Sequence, residues 1–314
     1  MSRLRSKAAS SAKLNGQVAP STAPIELRGA NSSLSGQNKW GGHVHGISWE
    51  VRRGDAETVL ALLQPDRFKC VVTSPPYYSQ RDYEVEGQIG LEKTFDAYVD
   101  RIVSAMEAVH RVLAPDGLLF LNLGDTYYSG RGQPKGVDRK NGARRFGLRP
   151  VDASGLGVSR KTTIGIPWRV ALRLIDGEKK WILRSPIIWR RDGSIPEPTA
   201  HDRPWRTHEM LFMFSKQPRY YFSRAALQCE EDIWAISSRP KSSKGVHSAA
   251  FPDELVRKCL DAGCPAGGDV LDPFAGSGTV LRVAIQSGRP ALGIDLSEPY
   301  CEHMAKTLTS LGAT

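Results

Sequence analysis

Cysteine is scarce in this chain and badly placed for its structural uses. The five residues Cys70, Cys229, Cys259, Cys264 and Cys301 form no CxxC pair, so neither a disulfide framework nor a metal site is expected, and reduced thiols are. No window approaches the roughly 20 continuous apolar residues that cross a bilayer. The first residues are rich in Ser, Lys and Arg and carry no apolar signal core, so the expectation is a soluble, cytoplasmic protein with no membrane partner. Acidic residues are outnumbered, 33 against 43 Lys plus Arg for a net charge of +10, which favours a polyanionic partner. The lysine-bearing GxxxxGK[ST] loop is missing, and so is GxGxxG. A phosphate-cradling loop and the dinucleotide fingerprint are therefore excluded.

What is present suits one large α/β domain. The 314 residues are 40% hydrophobic and 24% charged, enough to bury a full core. Residues 1 to 44 are polar, aperiodic and rich in Gly, Ser and Asn, and a disordered basic tail is expected there. The domain then spans 45 to 314, where short apolar runs alternate with helical patterns. That alternation predicts a doubly wound, mostly parallel sheet covered on both faces. "GISWEVRRGD" is a strand and "ETVLALL" a short helix. "FKCVVTSPP" is a strand that Pro75 and Pro76 must stop, since proline cannot donate to a ladder. "FDAYVDRIVSAMEAVHRVL" has helical spacing closed by Ala-Pro-Asp-Gly, and "GLLFLNLGD" has the continuous apolar run of a central parallel strand.

From Ser129 to Lys161, nine Lys and Arg face two Asp among Gly and Ser, the composition of a mobile basic loop. "IPWRVALRLID" reads as a helix, "WILRSPIIWRR" as a strand and "EMLFMFSKQPRYYF" as a strand or hairpin. Residues from about 190 to 246 have little regular pattern, which makes them the expected target-recognition region. Basic residues between 179 and 224 interleave with Trp and Tyr, as suits phosphate contact and base stacking. Arg190, Arg191, Arg203 and Arg206 are the DNA-binding candidates. The chain ends with the helix "PDELVRKCLDAG", the strand, turn and helix of "DVLDPFAGSGTVLRVAIQSG", the strand "ALGIDLS" and the helix "EPYCEHMAKTLTSL".

Two motifs carry chemistry. "VLDPFAGSGT" places small residues between a strand's carboxyl end and a helix start, where open α/β sheets bind ligands, and Asp295 at the end of "GIDLS" is spaced to accept hydrogen bonds from a ribose. "TSPPY" places a hydroxyl and a rigid carbonyl before an aromatic ring.

Together "DPFAGSGT" and "TSPPY" resemble the DNA amino-methyltransferases that use S-adenosylmethionine, over about residues 45 to 311. The catalytic motif precedes the cofactor motif, the order of the permuted β group, whose sheet is seven-stranded and Rossmann-like. The resemblance implies that Asp272, Pro273, Phe274, Ala275, Gly276, Ser277, Gly278 and Thr279 surround S-adenosyl-L-methionine, with Asp295 on its ribose. Phe251 of "HSAAFPDEL" would pack against it, and Asp55 would contact its adenine side.

Ser74, Pro75, Pro76 and Tyr77 would be catalytic. An exocyclic amine is a poor nucleophile because its lone pair is delocalised into the ring. The Ser74 hydroxyl and Pro75 carbonyl would accept its hydrogens and aim that lone pair at the methyl group. Tyr77 would stack on a base rotated out of the duplex. No metal or thiol is needed, and the Pro-Cys pair of carbon-5 cytosine methylation is absent. Serine before the prolines usually accompanies cytosine N4 in the family, and Asp or Asn usually accompanies adenine N6. The expected activity is therefore cytosine-N4 methylation of double-stranded DNA, with adenine N6 the first alternative and a catalytically inactive DNA-binding module the second. A cognate restriction endonuclease and a second copy of the chain are the further partners the resemblance implies.

Overall fold

The structure, a computed structural model, describes residues 38–80, 82–83, 85–128, 157–193, 200–227, 231–237 and 252–312. Its strands are β1 (Lys39–Val44), β2 (Ile47–Arg53), β3 (Phe68–Thr73), β4 (Leu113–Leu123), β5 (Ile182–Asp192), β6 (His208–Ser215), β7 (Ile233–Ser237), β8 (Val270–Asp272) and β9 (Ala291–Asp295). The helices are α1 (Ala56–Ala61), α2 (Phe95–Val112), α3 (Ile166–Asp176), α4 (Asp253–Gly263), α5 (Thr279–Gln286) and α6 (Glu298–Ser310). Among the described residues no helix is long and apolar enough to cross a membrane.

The strands form one sheet in the order β1-β2-β9-β8-β3-β4-β6-β5-β7. From β2 through β4 all pairs are parallel; β6 runs antiparallel between β4 and β5. The late strands β8 and β9 thus insert between β2 and β3, so the glycine motif and the Ser-Pro-Pro motif end up side by side although about 200 residues separate them. Parallel neighbours need only a crossover connection, and the sheet is indifferent to which loop is cut.

Each central strand feeds both faces. Val71 joins the core under α1, α2 and α3, while Cys70 and Val72 join the one under α4, α5 and α6. The same alternation places Leu119, Leu121 and Leu123 on one side and Leu118 and Phe120 on the other, as a strand buried on both faces requires. α2 buries Tyr98, Val99, Ile102, Ala105, Met106 and Val109 at helical spacing, and its N-cap Thr94 accepts a hydrogen bond from the Ala97 amide.

The sequence expectations need four corrections. The tail does not run to residue 44, because Lys39–Val44 pairs antiparallel with β2; Gly41, Gly42 and His43 hide the strand in the sequence. The sheet has nine strands rather than seven, since β1 and β7 extend its two edges. The region after Arg190 is not wholly irregular: β7 pairs parallel with β5, with Trp234 and Ile236 in the core. Ala-Pro-Asp-Gly does not separate α2 from β4 but forms the start of the strand itself. The expected tail up to residue 37 and positions 129–156 of the expected basic loop lie outside the described residues, as do 194–199, 228–230 and 238–246 of the expected recognition region.

Candidate active site at the carboxyl edge of the sheet

Seven strands, β2, β9, β8, β3, β4, β5 and β7, end at one edge, and the antiparallel strands β1 and β6 begin there. The prolines stop β3 at this edge and turn the chain along it. Tyr98 of α2 donates to the Pro76 carbonyl at 2.9 Å, and the Ser79 amide donates to the Gly90 carbonyl at 2.7 Å. The Pro76 carbonyl is thus occupied, whereas no hydrogen bond among the described residues ends on the Pro75 carbonyl. The ring of Tyr77 lies against Gly124 beyond β4, where an added Cβ would stand 2.4 Å from a ring carbon.

The Tyr77 hydroxyl sits between two side chains absent from the sequence-predicted site. It is 2.8 Å from Asn122 Oδ1 and 2.6 Å from Glu209 Oε2, and Ser74 Oγ lies 3.3 Å from the same Asn122 oxygen. Asn122 is the last residue but one of β4 and Glu209 the second of β6, strands that pair antiparallel. Burial and the adjacent Glu209 carboxylate push the Tyr77 phenol well above its ordinary range, so it keeps its proton. Asn122 was legible only as a polar residue in an apolar run, and Glu209 only as an acid at a strand start.

The glycine turn follows β8 directly. Thr73 donates to Asp272 Oδ1 at 2.7 Å, and the Phe274 amide donates to the same oxygen at 3.1 Å. Burial raises the Asp272 carboxyl to about 7, opposed by those two hydrogen bonds. The Ala275 amide donates to Ile294, so Ala275 fixes the turn through its backbone, while Pro273 follows the strand end. Ser277 and Thr279 bring their hydroxyls within 3.4 Å of one another at the start of α5.

The two glycines serve different ends. Gly276 has φ +51° with open space where a Cβ would point, which leaves room for a ligand; Gly278, at φ +79°, makes room for Met304, 2.6 Å from the Cβ it lacks. Asp295 accepts from the Gly276 amide at 2.8 Å and, on its other oxygen, from the Ser297 amide at 2.8 Å. Burial raises its carboxyl despite those amides. Each oxygen keeps a second lone pair, so a vicinal diol is the ligand this carboxylate suits. Open space over Gly276 and a buried acid on either side of it fit a nucleoside with a cationic tail.

Asp55 caps α1, accepting from Thr58 N at 3.0 Å and Thr58 Oγ1 at 3.1 Å. It stands beyond β2, next to Asp295, since Arg53 and Asp295 are register partners. Phe251 lies outside the described residues.

The four arginines divide. Arg190 is exposed and pairs with Asp192 at 3.0 Å, and Arg203 stacks its guanidinium 3.9 Å from the Tyr127 ring centre. Arg191 turns inward, donating to Glu209 Oε1 at 3.1 Å and to the Arg206 carbonyl at 3.0 Å. Arg206 donates to the Asp125 carbonyl. The Asp125 side chain in turn accepts from the amides of Gly165 and Ile166 at the start of α3. The described flanks of the basic segment meet at this edge, where the Tyr128 amide donates to the Thr162 carbonyl at 2.9 Å. Among the described residues no cluster of three or more His, Cys, Asp or Glu could hold a metal.

Comparison with known proteins gives this geometry a family. The chain is 42% identical over 258 residues to the type II methyltransferase M.Cfr9I of Citrobacter freundii, covering 79% of this chain and 84% of that protein. It is 40% identical over 265 residues to the type II methyltransferase M.SmaI of Serratia marcescens, covering 81% and 88%. Its fold is that of the PvuII DNA methyltransferase (cytosine-N4-specific), at a TM-score of 0.63 and 20% identity over 84% of this chain and 91% of that one. A putative DNA modification methylase of Thermus thermophilus, solved with S-adenosyl-L-methionine, superposes at a TM-score of 0.58 with 25% identity, over 83% and 95%. The DNA methylase pattern of N6 and N4 enzymes matches residues 68–306, and the chain belongs to that family of S-adenosylmethionine-dependent DNA amino-methyltransferases.

Proposed function

We propose that this chain methylates the exocyclic N4 amine of cytosine in duplex DNA. The observation that carries the reading is the pair of neutral acceptors at the catalytic rim. Ser74 Oγ and the Pro75 carbonyl stand at the end of β3, while Tyr98 occupies the neighbouring Pro76 carbonyl. Serine ahead of the prolines is the residue that accompanies cytosine in the family. Each acceptor takes one amine hydrogen, which pyramidalises the nitrogen and frees its lone pair. The Tyr77 ring, its hydroxyl tethered to Glu209, offers a face to a base turned out of the helix.

The cofactor supplies an electrophilic methyl group when bound. Asp272, Phe274, Gly276 and Asp295 are the residues that would hold it beside Ser74, with Asp55 on the adenine side. Arg190, Arg203 and the exposed Trp205 are of the basic and aromatic types suited to phosphate and base contact. The relatives' type II designation supports a cognate restriction endonuclease as partner.

The test is chemical. Duplex DNA is incubated with the chain and methyl-labelled cofactor, digested to nucleosides and resolved by mass spectrometry. N4-methylcytosine is expected; label on adenine N6 overturns the choice of base, and no label on any nucleoside overturns the reading.

A further inference from the structure

Counting hydrogens shows that the Tyr77 hydroxyl has one fewer than its two acceptor contacts require. Four oxygens meet there: Ser74 Oγ, Tyr77 Oη, Asn122 Oδ1 and Glu209 Oε2. The Asn122 amide cannot be turned over to help, because its Nδ2 donates to the Met210 carbonyl at 3.1 Å; inverted, two carbonyl oxygens would face each other. Asn122 Oδ1 therefore only accepts. Tyr77 has one hydrogen but two acceptors within bonding distance, Glu209 at 2.6 Å and Asn122 at 2.8 Å. With Glu209 as a carboxylate, the hydrogen serves one contact and the other is left with none. One added proton on Glu209 Oε2 completes both: Glu209 donates to Tyr77, and Tyr77 donates to Asn122.

The reaction has a proton to dispose of. Once the N–CH3 bond forms, the amine nitrogen carries a positive charge and one hydrogen too many. We propose that Glu209 receives this proton through Ser74 and Tyr77. The N–H bond breaks, and its electron pair returns to nitrogen as Ser74 Oγ takes the proton. Ser74 passes its own hydrogen to Tyr77 Oη, and Tyr77 passes its phenolic hydrogen to Glu209 Oε2. One positive charge is lost at the amine and one negative charge at Glu209, with Ser74 and Tyr77 restored.

The longest link, Ser74 Oγ to Tyr77 Oη at 3.4 Å, is the one a bound base would press upon, and catalytic hydrogen bonds commonly tighten in the substrate complex. Arg191 holds the second oxygen of Glu209 at 3.1 Å, which fixes the carboxylate toward Tyr77. Glu209 touches no substrate and acts through Tyr77. The proposal rests on the reading that an amine is held at Ser74.

Glu209→Gln separates proton acceptance from positioning, because a glutamine Nε2 donates to Tyr77 as a protonated Glu209 would, yet takes up no proton. Single-turnover methylation is measured for the full chain, Glu209→Gln and Glu209→Ala, with cofactor and DNA affinities and product nucleoside identified in each case. We expect Glu209→Gln to lose about 10²-fold in rate, within the range of general base catalysis, with both affinities unchanged. Added formate should restore Glu209→Ala several-fold and leave Glu209→Gln unaffected. Glu209→Gln turning over at the wild-type rate overturns the proposal, and so does a Glu209→Ala variant that formate does not restore. Wild-type label on adenine corrects the base while these arms still decide Glu209; a wild type that labels no DNA removes both.

Discussion

Thr73 ends the catalytic strand and Asp272 ends the cofactor strand, and a buried 2.7 Å hydrogen bond from the Thr73 hydroxyl joins them across 199 residues of sequence. The bond locks the rim proposed to hold the amine to the turn proposed to carry the methyl donor. In-line transfer depends on that separation, and a misplacement of about 1 Å can cost about 10²-fold in rate.

Asp272 also makes stability depend on pH. Its carboxyl titrates at about 7 in the fold against an ordinary 3.8, so the folded chain binds this proton more tightly than the unfolded one. Its contribution to stability is therefore greatest below about pH 4, declines as pH rises toward about 7 and is lowest above that, with a limiting slope of about 1.4 kcal/mol per pH unit. Asp272→Asn keeps an acceptor for Thr73 and Phe274 but does not titrate. Urea unfolding across this range should show wild type losing stability relative to the variant; parallel curves would remove the burial argument. The same variant should bind a cationic cofactor more weakly.

Ser74→Ala should reduce turnover by about 10²-fold, the usual cost of one preorganised polar contact to a transition state, while cofactor affinity holds. Isothermal titration and single-turnover rates measure the two separately. Unchanged turnover would take Ser74 out of the chemistry.

Gly124→Ala puts a methyl group 2.4 Å from the Tyr77 ring. Tyr77 must move, and the loop with it. The expected result is a folded protein destabilised by about 1–3 kcal/mol through overpacking, with a larger fractional loss of methylation than of thermal stability. Circular dichroism melts beside methylation rates decide this.

The arginines should separate in a DNA-binding titration against salt. Arg190→Ala and Arg203→Ala should weaken binding and lower the salt slope by about 1 for each phosphate that no longer meets a guanidinium. Arg191 and Arg206, bonded to Glu209 and to the Asp125 carbonyl, should instead lower the methylation rate with little change in slope. The reverse outcome would reassign both pairs.

Local signals located most of the fold. The 3.6-residue spacing of α2 and the apolar run of β4 each express a periodicity visible within one segment, and Pro75 and Pro76 mark the end of β3 through their missing amide hydrogens. β1 and β7 escaped because their alternation is not written in residue type: β1 carries Gly41 and Gly42 in mid-strand, and in β7 the exposed Ile233 and Ala235 are as apolar as the buried Trp234 and Ile236. Asn122 and Glu209 escaped for another reason: a single polar residue at a strand end gains its role only from what stands opposite.

The amino-acid sequence alone thus determined the α/β class, the two motifs and the family they resemble, because turn chemistry and periodicity are written within a few residues. Tertiary structure decided that Tyr98 takes the Pro76 carbonyl, that Gly276 borders open space while Gly278 packs on Met304, and that Arg191 and Arg206 bond within the fold while Arg190 is exposed. It also brought Tyr77 to Glu209, 132 residues away, since hydrogen-bond partners are set by strand order and register, and those are properties of the whole sheet.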